Sequence, residues 1–326
     1  MPGVKAERAG IISSTLLRLR PDVFLVDHTP LGIKGELSLA LEMAREHLHQ
    51  TRVVIGLRDI LDDPAVVRRA WDEAGIYDLL LDWYDQVLVY GSRDLYDVTQ
   101  KYAFPADLAD RTVFTGYIAK DRGLEPELEQ SSTWSRARRG ADCRILVMGG
   151  GGADAGPLFR AFTKAWSRIQ DEVSGQVLLV LGPLMEPALV ESIERRAAAL
   201  QGVEIVRSSK SVLSLVAGAD LVVSMGGYNS VVEALTARKP LVICPRVAPR
   251  TEQLIRARVM AALGLARVVR VDRESSKALA LTVQQALADR SAGPATRARV
   301  ELDGADKVAE ILLSRADEAR AEANSR

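Results

Sequence analysis

A chain of 326 residues, 48% hydrophobic and 26% charged, is long enough for two cores and has the make-up of a soluble globular protein. Its 43 basic and 43 acidic side chains cancel, which removes the electrostatic footprint of a nucleic-acid or anionic-membrane binder. Cys143 and Cys244 both lie in apolar runs and read as buried reduced thiols, so a cytoplasmic setting is expected.

Along the chain, MPGVKAERAG is polar and reads neither as a signal peptide nor as an opening strand. Strand-sized aliphatic runs then alternate with amphipathic stretches, the pattern of parallel sheets covered by helices. In the first half the strands read 22–27, 52–57, 86–91 and 112–116, with helices over 35–49, 64–82 and 93–103. Residues 120–141 lose the periodicity and read as a linker. Six strands follow, at 143–148, 176–182, 203–206, 220–225, 240–245 and 266–271. Helices fill the gaps at 155–169, 187–200, 210–217, 228–237, 250–263 and 274–289. A last helix places Val308, Ile311, Leu312 and Ala316 on one stripe. The fold class is therefore α/β, with two Rossmann-like, doubly wound domains. The expected boundaries are 1–119 for the first, 120–141 for the linker, 142–302 for the second and 303–326 for the terminal helix. Because its first strand begins only at Asp22, the first domain is expected to be incomplete.

Two glycine-rich turns carry the chemistry. MGGGGADAG (148–156) follows a buried strand and opens a helix, so side-chain-free backbone at Gly150, Gly151 and Gly152 can approach an anion at a helix start. Gly150, Gly152 and Ala155 nominally match a dinucleotide fingerprint, but the next strand ends Leu181-Gly182-Pro183 without the acid a NAD ribose requires. The competing reading is a tight strand-to-helix turn. In SMGGYNSVVEAL, Gly226 and Gly227 precede a second helix start, and Asn229 and Glu233 share a face one turn apart. A carboxylate there can accept from two vicinal hydroxyls, as on a ribose; taken alone, Glu233 would read as a solvated helix residue. Arg250 to Gln253 open a third helix after CPRVAP, again at a strand's carboxyl end.

ADLVVSMGGYNSVVEALTARKPLVICPRVAPRTEQLIRA is similar to the donor-binding half of glycosyltransferase family 28, and the likeness extends over about residues 140–300. The resemblance implies the two-domain GT-B fold and a UDP-sugar as donor substrate, with no further cofactor and no metal. It implies ribose contact by Glu233, diphosphate contact by Gly227 and Ser230, and a cleft lined by Gly150 to Gly152. Glu252 and Gln253 would touch sugar hydroxyls, although the family often has glutamine at both positions; Arg207 to Ser209 would lie at the base. PDVFLVDHTPLGIKGEL, RVVIGLRDILDDP, VLVYGSRDLYD and FTGY resemble a branch of predicted transferases that begin further upstream, with a Gly-His loop facing the acceptor.

On the acceptor side, Asp27-His28 and Arg58-Asp59 follow strands and are candidates to position a hydroxyl or phosphate, with His28 as a base; a structural hydrogen bond is the plain alternative for His28. His47 and His49 read as solvated, and Asp59, Asp62 and Asp63 as loop and cap residues. The expected partners are a nucleotide-diphosphate sugar and an unnamed acceptor, without nucleic acid or a membrane span. The expected function is transfer of a hexosyl group, N-acetylglucosaminyl among the candidates. An epimerase or hydrolase on the same fold, and a non-catalytic nucleotide-sugar binder, are the alternatives.

Overall fold

The structure is a computed structural model and describes residues 2–119, 134, 142–209, 211–271, 275–289 and 300–324. The chain divides into two compact units, Met1–Ile118 with Val300–Arg326, and Ala119–Arg299.

The first unit opens with a helix over the polar stretch that reads neither as a signal peptide nor as a strand. Helix α1 (Pro2–Leu19) is exposed over most of its length and buries only Ser13 and Leu16, packing on α2 (Ser38–His47). Strands β1 (Val23–Asp27), β2 (Arg52–Arg58), β3 (Gln86–Tyr90) and β4 (Thr112–Phe114) form one parallel sheet in chain order. The helical stretch at 64–82 is two helices, α3 (Pro64–Glu73) and α4 (Ile76–Trp83), parted at Gly75 with its left-handed φ of 62°. Of the stretch at 93–103 only α5 (Val98–Lys101) is helical, because Asp97 caps it there, accepting from the Thr99 N–H at 2.9 Å. A short α6 (Ala106–Asp110) precedes β4. The terminal helix, α13 (Gly304–Asn324), packs on this sheet: Val308 joins Val54 and Leu88, and Arg320 pairs with Asp22 at 2.7 Å.

The second unit carries β5 (Cys143–Met148), β6 (Gly175–Val180), β7 (Val203–Val206), β8 (Leu221–Ser224), β9 (Leu241–Ile243) and β10 (Arg267–Val268). Between and after them run α7 (Gly156–Ile169), α8 (Pro187–Ala197), α9 (Val212–Ala217), α10 (Tyr228–Thr236), α11 (Glu252–Ala262) and α12 (Ser275–Asp289). All pairings are parallel and the spatial order is β10-β9-β8-β5-β6-β7. The central strands bury both faces, which is why they read as unbroken aliphatic runs. Phe159, Phe162 and Trp166 of α7 fill the core on one face, the last two stacked at 6.4 Å. The expected linker, 120–141, lies outside the described residues except for Trp134. That indole is buried in the second unit and donates to the Leu215 carbonyl at 3.0 Å.

Candidate functional site

Read from β5 outward, the second sheet has the order 3-2-1-4-5-6, so the chain leaves β5 to one side and returns at β8 on the other. Ligands of open α/β sheets bind outside the carboxyl ends of the strands at such a reversal. Register sets Met148 beside Ser224, so the two glycine-rich turns emerge side by side at this point.

The four glycines of the β5 turn are glycine for different reasons. Gly150 and Gly152 have φ of 60° and 94°. A Cβ on Gly152 would lie 2.6 Å from the Leu181 carbonyl oxygen, and one on Gly182 would lie 2.5 Å from that of Gly150. The β5 and β6 turns therefore cross backbone on backbone, pinned by the Leu184 N–H donating to Gly151 O at 2.8 Å. A Cβ on Gly149 would meet Ala155 and Leu181 at 2.7 Å. Gly151 alone has neither constraint: it is exposed, and its Cβ would meet only Leu184 Cδ1, at 3.6 Å. Helix α7 then starts with no side-chain cap and with Pro157, which has no N–H, as its second residue, so its open first-turn amides are those of Gly156 and Leu158.

At the β8 turn, Ser224 Oγ accepts from the Gly226 N–H at 3.2 Å. Gly226 has φ 83°, and a Cβ there would sit 2.6 Å from Ile243 Cγ2. Its carbonyl accepts from Arg256 Nη1 at 2.9 Å, and Arg256 is 2% exposed with its guanidinium over the Tyr228 ring. Gly227, with open space at its Cβ, starts α10 without a side-chain cap. Asn229 is exposed and Ser230 half-buried in the first turn. Glu233 follows one turn on and is only 8% exposed. It is thus a buried carboxylate, which excludes the solvated-residue reading.

A third element closes on these two. Arg246, in the loop after β9, pairs through Nη1 with Asp154 of the β5 turn and through Nη2 with Glu252 Oε1, the latter at 2.5 Å. Burial works against its charge, yet the Glu252 and Asp154 carboxylates hold the guanidinium above its ordinary value. Gln253, 8% exposed, accepts from the Arg246 N–H at 3.2 Å. Of the expected second-unit residues, Gly150, Gly151, Gly152, Gly226, Gly227, Asn229, Ser230, Glu233, Glu252 and Gln253 follow β5, β8 or β9, three adjacent strands. Ser209 is the outlier: it follows the edge strand β7, two strand spacings from β5 or about 10 Å, and accepts from the Ser211 N–H. Asp154, Arg246 and Arg256 went unnoticed in the sequence, because partners so far apart leave no periodic trace.

In the first unit, Asp27 ends β1 and is exposed, and His28 follows with φ 72°, its N–H donating to Gly56 O at 2.8 Å. A side chain other than glycine at such φ is strained, a feature that clusters at functional positions. Arg58 ends β2 and is exposed. Asp59 behaves otherwise: it is 2% exposed, its Oδ1 accepting from the Ile60 N–H at 2.8 Å and its Oδ2 from the Tyr117 hydroxyl at 3.3 Å. It braces its loop, which removes it from the group that could meet an acceptor. Tyr90, absent from the sequence reading, lies across Gly56, where a Cβ would be 1.8 Å from its hydroxyl. Burial, and then the nearby Asp27, push that hydroxyl up to about 12. Asp63 caps α3, and His47 and His49 are exposed. Among the described residues no three His, Cys, Asp or Glu side chains are grouped to hold a metal ion, and no helix is long and apolar enough to cross a membrane.

Residues 144–312 match the family model for the glycosyltransferase family 28 C-terminal domain. No curated protein matches the chain in sequence. Among solved structures, the glycotransferase of kitacinnamycin aligns with a TM-score of 0.61 at 19% identity, over 95% of this chain and 80% of that one. MurG of Acinetobacter baumannii aligns at 0.57 and 17% identity, over 96% and 79%. The UDP-GlcNAc 2-epimerase of Neisseria meningitidis, bound to UDP-GlcNAc, aligns at 0.64 and 13% identity, over 95% and 81%. At these identities the likeness is one of fold, two Rossmann-like domains of GT-B type. The family match spans more than half of the chain and covers both glycine-rich turns and the Arg246 loop: the chain belongs to glycosyltransferase family 28.

Proposed function

We propose that the protein transfers a hexosyl group from a UDP-sugar bound at the β5–β8 reversal. The observation that carries this reading is the pairing of two uncapped helix starts, α7 and α10, behind glycine turns on neighbouring strands. Together they offer unpaired amides and two positive dipole ends to one diphosphate. The same amides would stabilise charge that develops on the diphosphate as it leaves, which is where a transferase needs stabilisation. Glu233 accepts from the ribose hydroxyls, Ser230 and Gly227 meet the diphosphate, and Glu252 and Gln253 face the sugar. His28 draws the proton from the acceptor hydroxyl, assisted by Asp27 and Arg58. The reaction as drawn needs no cofactor. The buried thiols Cys143 and Cys244 fit a reducing compartment, and we assign the protein to the cytoplasm.

Binding and turnover test the reading separately. UDP, UDP-glucose and UDP-N-acetylglucosamine should each raise the melting temperature, and slow UDP release from one of the sugars should accelerate with a suitable acceptor. An unchanged melting temperature with all three contradicts the assignment. Binding without any turnover favours a non-catalytic binder, and an isomerised sugar still attached to UDP favours an epimerase.

A further inference from the structure

We propose that Arg246 is a positioning residue for the transferred sugar, holding Glu252 half-engaged so that one sugar hydroxyl completes the pair. This rests on the donor-site reading above and deepens it, because that reading gives neither Arg246 nor Asp154 a contact with the nucleotide.

A guanidinium can meet a carboxylate side-on through two parallel bonds, here Nη2 to Oε1 and Nε to Oε2. Only the first is made. Arg246 Nε and Glu252 Oε2 are both shut off from solvent, and neither has a hydrogen-bond partner. Nη1 is drawn to Asp154, which belongs to the β5 turn, so one guanidinium is divided between two separate elements. A buried donor and a buried acceptor left open on one ion pair are costly, and a ligand that satisfies both gains what the free protein lacks.

The chemistry of that ligand follows from the pair. A hydroxyl both donates and accepts, so with a small rotation of Glu252 it can donate to Oε2 and accept from Nε. A phosphate oxygen would satisfy Nε alone and be repelled by Oε2. An apolar group would satisfy neither. The position also suits the sugar: Asp154 lies two residues past Gly152, and Glu252 opens α11 beside Gln253, whose carbonyl oxygen would be 3.5 Å from a Cβ on Gly226. The node thus stands where both glycine turns emerge.

The test compares UDP with UDP-glucose and UDP-N-acetylglucosamine by calorimetry on the full chain, native and as Arg246→Met and Asp154→Asn. In the native protein the better sugar should bind about tenfold tighter than UDP alone. Both variants should bring that ratio close to one while UDP affinity stays within about threefold. Asp154→Asn is the discriminating variant: it removes the negative charge that holds Nη1 and so lets the guanidinium shift to close its fork on Glu252, and the sugar advantage disappears although Arg246 and Glu252 are intact. It also decides the matter if Arg246→Met folds poorly. A native ratio near one, or a ratio kept by Asp154→Asn, overturns the proposal and leaves the donor site standing. Absence of UDP binding in the native protein overturns both.

Discussion

The two sheets of this chain use the carboxyl ends of their strands in opposite ways. In the second unit, the turns after β5 and β8 are glycine, and what they present is backbone: open amides at two helix starts. In the first unit, the ends of β1, β2 and β3 present side chains, with Asp27, His28, Arg58 and Tyr90 all at that edge. Amides are fixed in place and suit a charge that always arrives in the same form, such as a diphosphate. Side chains carry protons and vary in reach, which suits activating and holding an acceptor. Glycine also follows β3 and β4, at Gly91 and Gly116, but β1 and β2 end in charged or polar side chains where β5 and β8 end in glycine.

Substitutions can break this contrast, and the largest effect should come from the side-chain half. His28→Asn, which keeps a residue tolerant of left-handed φ, should slow UDP release about 10²- to 10⁴-fold while leaving UDP affinity unchanged. Steady-state turnover beside calorimetry checks this, and equal turnover would return His28 to a structural role. In the glycine half, Gly152→Val meets the Leu181 carbonyl and a forbidden φ, and should cost about 3–5 kcal/mol of stability together with nucleotide binding. Gly151→Val, with room for its side chain, should keep the melting temperature and lose only UDP-sugar affinity. If the two valine variants behave alike, the glycines serve the backbone crossing and nothing more.

Glu233→Ala comes next. Loss of a carboxylate that holds both ribose hydroxyls should weaken UDP binding by about 2–4 kcal/mol, or roughly 30- to 1000-fold. Since the position is buried, the variant should also lose about 1–3 kcal/mol of stability, visible in denaturant unfolding. A 2′-deoxy nucleotide separates the two losses: it should bind weakly to the native protein and fall little further with the variant. Equal native affinity for UDP and its 2′-deoxy analogue would remove Glu233 from the ribose.

The smallest effect is alkaline. Burial raises the hydroxyls of Tyr84, Tyr90 and Tyr102 in the first unit, Tyr90 to about 12. Folded tyrosines of this kind keep protons that the unfolded chain releases near pH 10, so stability should be complete below that range and fall as pH rises from about 10 towards 12. The second unit's buried Cys244, raised to about 12, follows the same sign from its lower ordinary value. Melting monitored from pH 8 to 11, with tyrosinate absorbance as the probe, should show the first unit loosening as tyrosines ionise; a flat profile would contradict it.

What was legible in the sequence follows the same divide. The six strands of the second unit stand out because they are buried on both faces, and runs such as CRILVM and DLVVSM admit no other reading. Gly150 to Gly152, Gly226, Gly227 and Glu233 were visible because they fall at fixed offsets from those strands. Helix α1 escaped because its apolar stripe is short: Ile12, Leu16 and Leu17 pack on the core in its second half, while residues 3–8 are exposed. The break at Gly75 and the cap at Asp97 were present as signals, a glycine after a helical run and an aspartate before one, but the apolar run around them outweighed both. Arg246 with Asp154, Arg256 on Gly226 and Tyr90 over Gly56 are contacts made by the sheet's folding. No local pattern foretells them.

In the proposed function a nucleotide-sugar lies on the backbone of the two glycine turns. Hydrogen exchange of the native protein, with and without saturating UDP, reads those amides directly. Slowed exchange is expected at Gly150 to Gly152 and at Gly226 to Ser230, with little change at His28, Arg58 and Tyr90. Protection confined to the first unit's strand ends, or unaltered exchange at both glycine turns while UDP is bound, would contradict it.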